Sequence, residues 1–106
     1  MKAILKDKRE AGFTWTDVPI PEIGRNQVLI KVEASALCKS DVDVYEWTPL
    51  VEKANYDLPF IMGHEFAGTI VKVGEDVEGY AEGDRVAGET HIPCGYCETC
   101  RTGNQH

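Results

Sequence analysis

The chain has 106 residues, 42% of them apolar and 27% charged, the balance of one globular domain or part of one. Eleven Lys and Arg stand against 18 Asp and Glu, a net charge of −7, which argues against nucleic acid or an anionic membrane as partner. No apolar run approaches the ~20 residues that span a bilayer, and charge at Lys2 and Lys6 comes too early for a signal peptide, so a cytoplasmic location is expected.

Lys2 to Lys6 reads as a first strand. After a turn at Gly12, residues 13–18 read as its hairpin partner, ended by Pro19 and Pro21, which cannot donate to a ladder. Residues 28–34 form the clearest strand, with Val28, Ile30, Val32 and Ala34 on one face. Ser40 is expected to cap a short helix running to about Trp47, with Asp41 and Asp43 at its positive end. Residues 48–59 read as a polar loop. Residues 66–73 form a second strong strand, with Ile70, Val71 and Val73 as its core. Glycine turns at 74–77 and 79–83 lead into 84–87, and a cysteine-rich loop follows from Glu89. The sum is a mainly β chain with short helices, a small partly open barrel. Its core is expected to unite Val28, Ile30, Val32, Ile70, Val71, Val73 and Val86.

Three of the four cysteines, Cys94, Cys97 and Cys100, fall in one short stretch. In a reducing compartment such a cluster reads as metal-binding rather than as disulfides. A tetrahedral structural zinc needs four ligands, so either Glu98, His106 or a distant residue completes it, or the sequence is cut before the fourth ligand. Cys38 lies between a strand and a helix start, where the positive helix end favours the thiolate. His64 and Glu65 lie side by side between two apolar segments. Taken singly, Cys38 reads as a small buried residue and His64 as a hydrogen-bonded one. Together the thiol, imidazole and carboxylate suit a catalytic zinc with an open position, although spacing does not establish that they meet.

The run Gly63-His64-Glu65-Phe66-Ala67-Gly68, continued through Gly74 to Val77, resembles the signature of the zinc-containing medium-chain alcohol dehydrogenases. Residues 83–86, the three clustered cysteines and Cys38-Lys39-Ser40-Asp41 resemble further motifs of that family. The resemblance implies an incomplete GroES-like amino-terminal domain over residues 1–106, with a structural zinc lobe over 89–106. A nucleotide-binding Rossmann domain would follow in a longer parent. No Gly-x-Gly-x-x-Gly occurs in the sequence.

The resemblance also implies a parent that uses zinc and NAD to oxidise a small secondary alcohol, acting as a homo-oligomer, a tetramer. Residues 16–19, 44–47 and 89–92 are similar to the branch that acts on L-threonine, while polyol and butanediol dehydrogenases share the zinc motifs. By itself the chain would be a non-catalytic zinc-stabilised β module. Carried over, Cys38 and His64 are ligands of the catalytic zinc, Glu65 is a ligand or a close carboxylate that exchanges with water, and Cys94, Cys97 and Cys100 hold the structural zinc. Ser40 takes the place of the proton-relay hydroxyl. The family has glycine where this chain has Lys39, and histidine, the next relay group, where it has Asp43. Asp43 is therefore either a weak relay group or a helix-start acid on a solvated face.

Overall fold

The computed structural model describes residues 1–104. Two three-stranded antiparallel sheets carry the fold. In the first, β1 (Lys2–Lys6) lies between β2 (Thr14–Asp17) and β4 (Phe60–Ile61). The second has β5 (Glu65–Val73) between β3 (Val28–Ala36) and β6 (Arg85–Ala87). The helices are α1 (Lys39–Glu46), α2 (Pro49–Ala54) and α3 (Glu98–Arg101). The architecture is mainly β with short helices, as expected, and the sheets do not close into a barrel.

Two bulges decide which side chains face where along β3 and β5. Leu29 pairs with Lys72 but Ile30 with Ile70, so Val71 is an extra residue on its strand. That offset lets Ile70 and Val73 share a face despite their odd spacing and turns Val71 outward, 43% exposed. The second bulge makes Glu33 the extra residue, so Ala34 pairs with Ala67. Ala34 therefore leaves the face of Val28 and Ile30, contrary to the simple alternation. Val32 sits opposite Gly68, which offers it no side chain, and is 55% exposed. Gly68 itself has no room for a Cβ, which would lie 2.2 Å from the Lys31 carbonyl oxygen.

The expected single core is thus corrected. Ile70 is buried, Val28, Ile30, Val73 and Val86 are half-buried, and Val32 and Val71 are exposed. A second buried group lies elsewhere, with Ala3 on β1, Val44 on α1 and Val51 on α2. Lys6 on β1 is fully buried as well. Its ammonium donates to the carbonyls of Glu10, Gly12 and Tyr45, at 2.6, 3.0 and 3.1 Å, three protons for three acceptors. The rings of Phe13 and Trp47 flank it. Lys6 thereby ties the loop after β1 to the last turn of α1. Burial holds its ammonium below the ordinary lysine range.

Helix α2 lies within the segment expected to be a loop. Pro49 occupies its first turn, where the missing N–H costs nothing, and Asn55 ends it in the left-handed conformation. The Trp47 indole N–H donates to Glu52, fastening α2 to the end of α1.

Candidate functional site

Helix α1 has its N-cap at Cys38, not at Ser40. Cys38 is extended (φ −90°, ψ 158°), and its N–H donates to Asp41 Oδ2 at 2.9 Å. An acid three residues past the cap is the spacing that satisfies an orphan N–H. Ser40 falls inside the first turn, and its hydroxyl bonds the Cys38 sulfur, which sits at the positive helix end. These bonds to Ser40, and then to His64, hold the Cys38 thiol below its usual range.

His64 and Glu65 arrive from the start of β5. Gly63 precedes them at φ +100°, a left-handed conformation that a side chain would strain. Glu65 pairs with Ala36 across the ladder, and its carbonyl takes the Ser35 hydroxyl at 2.9 Å. The β3–β5 ladder therefore delivers the end of β3, and with it Cys38, to the His64 segment. The donor atoms of Cys38, His64 and Glu65 lie within 4.8 Å of one another. His64 Nδ1 stands 3.4 Å from Asp41 Oδ1. Bonding to Cys38 first, and the charge of Asp41, hold His64 above the usual histidine range.

A cavity of about 590 Å³ opens beside this trio. Ala34 and Ala36 line it from β3, Phe66 and Ala67 from β5, and Ala87 to Thr90 from β6 and the segment beyond. The second bulge is what turns Ala34 toward this cavity rather than the core.

Cys94, Cys97 and Cys100 form a separate group whose sulfurs also lie within 4.8 Å of one another. Cys94 and Cys97 stand 3.7 and 3.4 Å from Cys100. Zn–S bonds of about 2.3 Å in a tetrahedron give S···S edges of about 3.8 Å, so three thiolates at these separations fit zinc. The Thr99 hydroxyl, then the Cys100 N–H, bring the Cys97 thiol down to about 6. Backbone N–H groups of Tyr96 and Cys97 lower Cys94 as well. The group does not include Glu98, and His106 lies outside the described residues.

The two relay candidates, Ser40 and Asp43, separate in space. Ser40 touches Cys38, whereas the Asp43 carboxylate pairs with Lys39 at 2.6 Å along α1. The two departures from the family pattern thus bind each other. Lys39 lies in helical backbone, so replacing glycine there carries no positive-φ strain. Three contributors have no site role assigned from sequence: Asp41, which is 4% exposed and reaches His64, and Glu89 and Thr90, which line the cavity. In sequence Asp41 reads as a helix-start acid within the Cys38–Asp41 motif, and Glu89 and Thr90 only as part of the segment similar to the threonine branch.

The family description "Alcohol dehydrogenase GroES-like domain" matches residues 24–106. The chain belongs to this family. An L-threonine 3-dehydrogenase of Aeromonas salmonicida is 47% identical over all 106 residues, which cover 31% of that protein. Among solved structures, an NAD-dependent alcohol dehydrogenase superposes with a TM-score of 0.81 at 32% identity, over 99% of this chain and 30% of its own. Galactitol-1-phosphate dehydrogenase from Escherichia coli gives 0.79 at 31% identity, over 96% of this chain and 28% of its own. The chain thus spans less than a third of these proteins. Among the described residues no helix is long and apolar enough to cross a membrane.

Proposed function

We propose that the chain is the amino-terminal part of a zinc- and NAD-dependent dehydrogenase that oxidises L-threonine to 2-amino-3-oxobutanoate. The observation that carries this reading is the convergence of Cys38, His64 and Glu65, from two separate segments, beside one cavity. The donor set of one sulfur, one nitrogen and one oxygen suits zinc with an open position. The likeness to an L-threonine 3-dehydrogenase supports the substrate, and the likeness to an NAD-dependent alcohol dehydrogenase supports the cofactor.

When bound, zinc would supply Lewis acidity toward the substrate hydroxyl oxygen, and the nicotinamide would supply the hydride acceptor. The chain's residues do the rest of the local work. Cys38, His64 and Glu65 would hold the metal. Asp41 orients His64 from behind and fixes the start of α1. Ser40 Oγ, beside Cys38, accepts the proton leaving the substrate hydroxyl and passes its own to solvent water. Asp43 is engaged by Lys39 and stands outside the proton path as a helix-face acid. The small side chains of Ala34, Ala36, Ala67 and Ala87 leave room for the substrate. Cys94, Cys97 and Cys100 would hold a second zinc, which supplies folding energy to a lobe whose side chains are largely exposed.

Purified full-length protein with zinc and NAD should produce NADH from L-threonine faster than from sorbitol or butanediol. The likeness to galactitol-1-phosphate dehydrogenase favours a polyol as the second reading, and a reversed order of rates would establish it.

A further inference from the structure

We infer that Glu89 sets substrate class by binding a cationic amine next to the reacting carbinol. The inference deepens the reading above, since it concerns the same cavity. Besides the trio, that cavity is lined by alanines, Gly88 and the Phe66 ring, by Ser35 and Thr90, and by the Glu89 carboxylate. No Lys or Arg lines it among the described residues. Its one acid outside the proposed ligand set is therefore not neutralised by a lysine or arginine of the wall.

The Glu89 side chain is exposed and is tethered through one oxygen. Its Oε1 receives the His91 N–H at 3.1 Å, stands 2.6 Å from His91 Nδ1 and lies 3.5 Å from Thr90 Oγ1. All three contacts end on Oε1. The side chain thus has one oxygen tethered, and Oε2 keeps acceptor capacity for a ligand. Bonding to His91 brings the carboxyl down to about 2, so it is ionised throughout the neutral range. A substrate ammonium gains a charge-assisted bond there, a neutral diol gains less, and an anionic group is repelled. A volume of about 590 Å³ is ample for a four-carbon substrate.

The test uses an isosteric pair, isopropanolamine and propylene glycol, which differ in an ammonium against a hydroxyl. Calorimetry on the zinc-loaded full-length protein should show the amine binding tighter by on the order of tenfold. In Glu89→Gln the preference should vanish while diol binding is unchanged, and Glu89→Asp should restore part of it. With L-threonine as substrate, Glu89→Gln should raise KM and leave kcat nearly unchanged. The inference is overturned if the wild type shows no preference for the amine. Equal weakening of both ligands in Glu89→Gln, or a retained preference, also overturns it. Failure of the wild type to oxidise L-threonine refutes the proposed function instead, and the paired binding result then stands or falls by itself.

Discussion

Asp41 joins the helix start to the candidate metal centre, so its replacement separates the two contributions. Its carboxylate is nearly buried, takes the Cys38 N–H at 2.9 Å through Oδ2, and faces His64 Nδ1 at 3.4 Å through Oδ1. Asp41→Asn keeps an oxygen for the Cys38 N–H but removes the charge facing His64. Asp41→Ala removes both and leaves the N–H without its partner. Loss of a cap bond costs about 1 kcal/mol, within a range of roughly 0.5–2. Loss of a group that orients a ligand histidine costs about 10–100-fold in metal affinity, roughly 1.4–2.8 kcal/mol. The metal effect should therefore exceed the stability effect in Asp41→Asn, and both should appear in Asp41→Ala. Chelator competition and denaturant unfolding of the full-length protein measure the two. The Cys94–Cys97–Cys100 group, remote from Asp41 in sequence, is the internal control and should keep its affinity. Unchanged affinity at the Cys38 site, or equal weakening at both sites, would refute the reasoning.

Ile70→Asp should abolish cooperative unfolding in a urea titration. Ile70 is 1% exposed, and an unpaired carboxylate there costs several kcal/mol against a typical total of about 5–15. Ser40→Ala should lower kcat by roughly 10²-fold at unchanged zinc content, whereas Asp43→Asn should leave the pH–rate profile alone. Zinc affinity at the Cys38 site should fall as pH drops, beginning above 6.5, because His64 is held above that value and its proton competes with the metal. The lowered Cys38 thiol works the other way, extending thiolate availability below 9.0, so affinity should plateau before the ordinary thiol range; a zinc–pH titration reads both effects.

Much of the framework could be read from residues alone. The turn at Gly12 and the prolines after Val18 located β1 and β2, the alternation in 28–34 located most of β3, and the apolar run at 66–73 located β5. The bulges were not legible, because an extra residue such as Val71 or Glu33 is defined only by its partner strand. Helix α2 was hidden because Pro49 signals a break in sequence but is compatible with a helix's first turn. The cap at Cys38 was missed because Ser40 is the better side-chain acceptor, while the observed start relies on Asp41 reaching back. Residue type alone suggested the two cysteine-containing clusters, and only the β3–β5 pairing puts Cys38 near His64. Glu89 fell within a segment similar to the threonine branch, but nothing in the sequence placed its carboxylate beside the cavity.

Metal content of the full-length protein and its ligand variants tests the central claim most directly. Two independent zinc centres, one at Cys38, His64 and Glu65 and one at the three clustered cysteines, should give close to two zinc ions per wild-type chain. Cys38→Ala and His64→Ala should each retain about one and lose dehydrogenase activity, while Cys97→Ala should lose the other zinc and with it stability. Retention of two zinc ions by folded Cys38→Ala and His64→Ala, with activity intact, would contradict the account.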